Sequence, residues 1–391
     1  MPRPRLLFLT PHFPDPEGNG SSRRAHSTHA ALSLNHEVTI LHVAPSSDYP
    51  PAPPPALSLP YDHANGALRR WRRRLALFAK LVAPPDWANH TPARLRHTAA
   101  LAASAAPFDT VHAFRLFVAP HALAVARALR PRPALHLDID DIESLTRARI
   151  AAVLEHGGDH SAALRERANT RAYARLERRL QPRFDRLYVA SSLDASRLSH
   201  PGLRVLPNVV PIPASPLPPP PPGPLRMLFI GALSYAPNQD AVRWFLAEIL
   251  PALRAATPCE LLVAGRHAPE SLRALLASSP GVVFLGPVEY AASAYQDAHL
   301  VVAPLRAGGG TRLKILEAFA LGRPVVATPL AAEGLEITPG RHALLADRAA
   351  DFAAACAKLA ADADLRRALA AQAREWIAAR HSPSALAAPL A

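Results

Sequence analysis

Three consecutive glycines, Gly308, Gly309 and Gly310, follow the apolar run Leu300, Val301, Val302 and Ala303 and precede Thr311, Arg312, Leu313 and Lys314. A short apolar strand, a glycine turn and then apolar residues at helical spacing read as a strand–loop–helix unit of an α/β protein. The glycines let the backbone approach a ligand closely. Thr311 is placed to cap a helix beginning near it, and the unbonded N–H groups of a first turn attract an anion. Arg312 and Lys314 put positive charge at a helix end where the dipole alone favours acidic residues, which makes sense if a phosphate sits there. Glu317 lies one turn beyond Lys314 on the same face, within reach of the sugar hydroxyls of a nucleotide. Leu313, Leu316, Phe319 and Ala320 form the stripe that docks the helix on its sheet. A glycine turn closing an ordinary α/β unit, with solvated basic residues, is the plainer alternative for this segment.

The same rhythm extends through the second half of the chain. Strands are expected at residues 226–230, 260–264, 282–285, 300–303 and 324–327, with helices at 240–255, 269–277, 290–297 and after the glycines. Short strands alternating with helices argue for a doubly wound, Rossmann-like parallel sheet. The first half shows strands at 5–9, 37–43, 110–113, 134–138, 186–190 and 203–206, with a long charged helix at 163–180. Residues 45–67, rich in proline, read as an irregular insertion. Residues 215–224, SPLPPPPPGP, cannot continue a helix or pair in a central strand and read as a stiff spacer. The expected division is therefore 1–214, a linker at 215–224, and 225–391, with a last helix able to return to the first domain. A chain of 391 residues accommodates two such domains. Open α/β sheets bind ligands at the carboxyl ends of their strands, so the expected site lies in a cleft faced by both sheets.

Composition narrows the classes. With 49% hydrophobic and 19% charged residues, the chain is globular and not disordered. The first apolar run is too short for a signal peptide, and no run approaches the roughly 18 apolar residues of a membrane span. Cys259 and Cys356 show no metal or redox spacing, which favours a reducing cytosolic setting. A net charge of +13 suits anionic partners. Residues 68–87, LRRWRRRLALFAKLVAPPDW, interleave arginines with Trp71, Leu75, Leu77, Phe78 and Leu81. That pattern fits a helix lying on an anionic membrane surface, or equally a solvated helix packed on the domain core. No nucleic-acid motif accompanies the charge.

The first half offers three features for a site. Gly18, Asn19 and Gly20 form a turn between the first strand and a helix starting near Ser21, where Arg23 and Arg24 stand ready for a phosphate; a plain connecting turn is the alternative. The run DIDDIES places Asp138, Asp140 and Asp141 after a strand, where a carboxylate can accept or orient an acceptor's hydroxyl proton. Alternation puts Asp138 and Asp140 on one side if the strand extends; a helix N-terminus favouring acids explains the same residues without catalysis. His112 ends the strand at 110–113, either at the site or as a buried histidine.

These residues carry a resemblance. GALSYAPNQDAVRWFLAEILPAL, VAGRHAP, and LGPVEYAASAYQDAHLVVAPLRAGGGTRLKILEAFALGRPVVAT followed by AAEGL resemble the donor domain of glycosyltransferase family 4. FDTVHAF, DIDDIES, LYVASS and RVLPNVV follow in the order shown by its subgroup associated with bacterial exopolysaccharide and PEP-CTERM gene clusters. The resemblance spans nearly the whole chain and implies the GT-B fold, two Rossmann-like domains facing across a cleft. It implies an enzyme that moves a sugar, with retention, from a nucleotide diphosphate-sugar donor to an acceptor hydroxyl, without metal or other cofactor. The implied acceptor is a glycan, chiefly a lipid-linked saccharide at the inner face of the cytoplasmic membrane; no nucleic acid is implied. Glu317 matches the second Glu of the family's Glu-x7-Glu pair, which holds the ribose. The first Glu falls on Gly309 and is absent, leaving the amides of Gly309, Gly310 and Thr311 for sugar or phosphate. The loop from Gly231 to Asn238 lacks the Arg and Lys that many members use on the diphosphate, so Arg312 and Lys314 are expected to replace them. Members often carry a sugar-contacting His, commonly at the position of Phe114, near His112. A module that binds a sugar nucleotide without turnover is the competing expectation.

Overall fold

The computed structural model describes residues 2–44, 53–59, 90–288 and 291–390. The chain falls into two compact units, Met1–Pro207 with Leu386–Ala391, and Asn208–Ala385.

In the first unit, the described residues form a seven-stranded sheet in the order β3-β2-β1-β4-β5-β6-β7. The strands are β1 (Arg5–Thr10), β2 (Glu37–Val43), β3 (Leu57–Leu59), β4 (Thr110–Phe114), β5 (Ala134–Asp140), β6 (Arg186–Val189) and β7 (Leu203–Val205). All neighbours pair in parallel. The central strands are apolar runs because helices cover both sheet faces, so inward and outward positions are buried alike. Leu6, Leu7, Phe8 and Leu9 of β1 are all buried. Strand β3 lies within the stretch expected to be irregular, paired to β2 through Leu41–Leu57 and Val43–Leu59. Three residues on a sheet edge leave too short a pattern to read from sequence. The basic block at 68–87 lies outside the described residues.

In the second unit the described residues form a six-stranded parallel sheet in the order β10-β9-β8-β11-β12-β13. Its strands are β8 (Leu225–Ile230), β9 (Cys259–Ala264), β10 (Val282–Gly286), β11 (Leu300–Ala303), β12 (Val325–Ala327) and β13 (Leu344–Leu345). The order reverses between β8 and β11, and such a switch opens a crevice at the strands' carboxyl ends. The helix expected at 240–255 begins earlier, at Ala236, and runs Ala236–Trp244, a π-helical turn Phe245–Ile249, then Leu250–Ala256. Pro251 accounts for the wide turn, since it has no N–H to donate and its ring crowds the carbonyl one turn back.

The proline-rich stretch expected to separate the domains lies inside the second unit. The Leu217 amide donates to the Leu321 carbonyl at 3.0 Å. The Arg323 guanidinium donates to the Leu217 and Pro218 carbonyls at 3.3 and 2.7 Å. Prolines lack N–H groups but keep their carbonyls, and a buried arginine uses them as acceptors. Extended backbone thus lies along the unit instead of spanning open space. The final short helix, Ala387–Leu390, belongs to the first unit. Among the described residues, no helix is long and apolar enough to cross a membrane.

Candidate functional site

The carboxyl edge of the second sheet gathers the residues singled out in the glycine segment. Lys314 stands in the first turn of helix Leu313–Ala320. Its Nζ donates to Asn238 Oδ1 at 3.0 Å and lies 4.0 Å from the centroid of the Phe229 ring. The Asn238 amide in turn donates to the Ala232 carbonyl at 2.9 Å. Gly231, directly after β8, makes this meeting possible: a Cβ there would lie 2.8 Å from Asn238 Nδ2 and 3.1 Å from Lys314 Nζ. Burial, and then the charge of Arg312, push the Lys314 ammonium down to about 7, with Glu317 opposing them. A lysine desolvated beside another cation recovers its charge when an anion arrives.

The glycine loop leaves β11 with Gly308 at φ 119° and Gly310 at φ 63°, both in the region that side chains avoid. The helix begins at Leu313, two residues later than expected, with Arg312 at its cap position and no side-chain cap bond. Thr311 is therefore not the cap. Its hydroxyl accepts a 2.6 Å hydrogen bond from the Asn208 amide, at the first residue of the second unit. Arg312, expected on a diphosphate, is buried and turned back on its own loop, bonding the carbonyls of Gly309 and Gly310. It props the loop, leaving Lys314 as the cation set among Gly231, Asn238 and the helix start. Arg306 grips Asp240 with Nε at 3.0 Å and a terminal nitrogen at 2.6 Å, fastening the loop to the helix after β8.

Glu317 is buried at 7% exposure, one turn along from Lys314. The Tyr295 hydroxyl donates to its Oε2 at 2.8 Å. Sequence reading missed Tyr295 and Asn208. Tyr295 sits among ordinary apolar helix residues, and Asn208 lies in RVLPNVV, a segment read only for its order along the chain.

In the first unit, Asn19 caps helix Gly20–Asn35, accepting from the Ser22 amide at 3.1 Å. A Cβ on Gly18 would meet Ser22 Cβ at 2.6 Å, so the turn is tight. Arg24 is not offered to a phosphate. It is buried, with a terminal nitrogen 2.9 and 3.0 Å from the two Asp138 oxygens and Nε 3.3 Å from Asp140. Asp138 is fully buried and also accepts from the Asp140 amide at 2.9 Å, so this carboxylate anchors Arg24 inside the fold. Asp140 follows an irregularity in β5 at φ 61° and meets Arg115 at 2.7 Å as well as Arg24. Arg115 also binds Asp141 and Glu143, each at 2.9 Å. Burial raises the Asp140 carboxyl against the pull of both arginines, and burial with Asp141 nearby raises Glu143 to about 7. DIDDIES is thus one acidic wall facing arginines, with Asp140 nearer the surface than Asp138.

His112 is corrected outright. Strand β4 runs on to Phe114, so His112 lies mid-strand and fully buried, 5.7 Å from Phe8, 5.4 Å from Tyr188 and 6.1 Å from His136 between ring centroids. Burial lowers its pKa to about 3. It is a core histidine.

Removing one side of a buried ion pair strands the other charge. Asp138→Asn is expected to lower unfolding free energy by about 3 kcal/mol, the low end for such pairs because Asp140 stays beside Arg24. A urea midpoint equal to wild type removes the anchoring role. Among the described residues, no group of three or more His, Cys, Asp or Glu side chains is placed to hold a metal ion.

Residues 224–362 match the family model described as glycosyl transferases group 1. No curated protein matches the chain. Among solved structures it is similar to sucrose-phosphate synthase from Thermosynechococcus elongatus, with TM-score 0.70 and 17% identity over 99% of this chain and 97% of that one. A glycosyltransferase from Rickettsia africae gives TM-score 0.64 and 11% identity over 99% and 96%. HepE from Anabaena, in complex with UDP and glucose, gives 0.63 and 14% over 98% and 97%. The chain therefore has the GT-B fold, and its second unit carries the segment that matches glycosyl transferases group 1.

Proposed function

We propose that the protein is a retaining glycosyltransferase of the family 4 type, moving a sugar from a nucleotide diphosphate-sugar to the hydroxyl of a lipid-linked saccharide in exopolysaccharide or cell-envelope synthesis. The observation that carries the reading is Lys314, held against Gly231 and Asn238 at the start of a helix, inside the segment matching glycosyl transferases group 1. In this scheme the diphosphate lies against the Lys314 ammonium and the first-turn amides of helix Leu313–Ala320, with Glu317 on the ribose. As the sugar–phosphate bond breaks, charge grows on the departing diphosphate, and Lys314 neutralises it. The leaving phosphate takes the acceptor's proton on the face where the new glycosidic bond forms, so no covalent enzyme intermediate arises. The protein mainly orients the reactants and stabilises charge. HepE, solved with UDP and glucose, supports a uridine donor as the first to try.

A donor-hydrolysis assay tests the reading. Purified protein is expected to release nucleoside diphosphate slowly from its donor, and Glu317→Ala to lower kcat/KM by roughly tenfold, the scale of one lost hydrogen bond to a charged group. Donor-induced thermal stabilisation without any release at all points instead to a binding module. The proposed location is cytoplasmic, at the inner membrane face, with residues 68–87 as the contact. Flotation with anionic vesicles is expected to capture wild type and to lose a variant with Arg69, Arg70, Arg72, Arg73 and Arg74 neutralised. Equal capture of both removes the membrane claim.

A further inference from the structure

We propose that Tyr295 is a positioning residue for nucleoside recognition, its hydroxyl fixing the Glu317 carboxylate in the orientation that meets the ribose hydroxyls. This rests on the reading of Glu317 given above. Tyr295 lies on the short helix Ala291–Gln296 and is fully buried. Its hydroxyl donates to Glu317 Oε2 at 2.8 Å, and the Lys314 carbonyl is a second acceptor 3.2 Å from the hydroxyl oxygen. A phenylalanine fills the same core volume, and a hydroxyl is expensive to bury unless it is used. Here it touches the turn of helix that presents both Lys314 and Glu317. A neutral donor holds one carboxylate oxygen without cancelling the charge a ligand hydroxyl needs.

Tyr295 is itself held from behind. Buried Arg323, in the turn that follows helix Leu313–Ala320, donates to the Tyr295 carbonyl through Nε at 3.0 Å and to the Gln296 carbonyl at 3.1 Å. The chain thus closes a ring: the helix leads to Arg323, Arg323 fixes the Tyr295 backbone, and the Tyr295 hydroxyl returns to Glu317 on that helix. The proline-rich stretch joins through the Pro218 carbonyl on Arg323, at 2.7 Å. Such a frame removes the rotamer freedom that a glutamate otherwise loses on binding, and pre-organisation of that kind appears as affinity.

The test compares UDP with 2′,3′-dideoxy-UDP by calorimetry on the full-length protein, using GDP and its dideoxy analogue if GDP is the diphosphate that raises the melting point. Wild type is expected to favour the ribose form about tenfold, the scale of a hydrogen bond to a charged group. Tyr295→Phe is expected to cut that ratio to about twofold while leaving dideoxy affinity within about twofold, and to raise donor KM more than it lowers kcat. The double variant Tyr295→Phe/Glu317→Gln should match Glu317→Gln alone, because the tyrosine acts only through the carboxylate. If both analogues weaken together in Tyr295→Phe, the tyrosine is structural and the proposal fails. If Glu317→Gln removes the discrimination and Tyr295→Phe keeps it, the proposal fails while the Glu317 reading stands. A wild type with no preference for the ribose form overturns both.

Discussion

Lys314→Met is expected to lower kcat/KM for the nucleotide-sugar by about 1,000-fold, the upper range for losing a donor that stabilises developing negative charge. The fold should tolerate the change. Methionine keeps most of the unbranched stem that runs past Phe229, and the lysine it replaces is held by one asparagine and half-buried. A melting temperature near that of wild type then assigns the loss to chemistry. The wild type carries a second signature. Unliganded Lys314 has its pKa lowered to about 7, and a bound diphosphate raises it. The bound form thus holds the proton more tightly than the free form. Affinity owed to Lys314 is complete below the free value and is lost as pH rises from about 7 towards the bound value. Diphosphate binding should weaken by up to about tenfold per pH unit above 7, with proton uptake visible as buffer-dependent heat. Flat affinity from pH 6 to 9, or undiminished turnover in Lys314→Met, removes this lysine from the site.

Acid should unfold the first unit early. His12, His112 and His136 all have pKa values lowered by burial from 6.5 to about 3. Folded, they stay neutral; unfolded, they take up protons below 6.5. The unfolded state therefore binds more protons as pH falls, and each histidine costs about 1.4 kcal/mol of stability per pH unit. Glu143 works the other way. Its folded pKa is raised to about 7 from 4.5, so protonation favours the folded state between those values and offsets one histidine. These four groups alone give a loss of about 3 kcal/mol per unit below pH 6.5, against a total stability of about 5–15 kcal/mol. Hydrogen exchange of peptides from β1, β4 and β5 at pH 7.5, 6.5 and 5.5 reads this directly. His112→Phe, which suits the neighbouring Phe8 and Tyr188 rings, should lower the slope by about 1.4 kcal/mol per unit, one histidine's share. Protection unchanged down to pH 5.5 means that these imidazoles are not neutral in the core.

What the sequence made legible was local. Strands β2 and β11 fall on their expected residues, and β1, β4, β5, β8 and β9 within one or two, because a buried parallel strand needs its own apolar run whatever surrounds it. Lys314 and Glu317 were legible for the same reason: one helical turn puts them on one face, and the glycines before them announce a close approach. Edge strand β3 was not legible, since three residues are bound by the register of β2 more than by any pattern of their own. The end of β4 slipped by one residue, and that was enough to place His112 at an edge it does not reach.

Partnership was decided only in three dimensions. Arg24 and Asp138 are 114 residues apart, and Asn208 and Thr311 are 103 apart. Nothing in either neighbourhood shows that one arginine of a basic pair after a glycine turn will turn inward, or that the threonine placed to cap a helix will accept from a distant asparagine. The fold class and the helix-borne cation were determined by short-range backbone and hydrophobic periodicity, which is written residue by residue. Which carboxylate is sealed inside, which arginine props a loop and which tyrosine meets Glu317 were decided by packing, because burial forces every polar group to find whatever partner the assembled chain brings within about 3 Å.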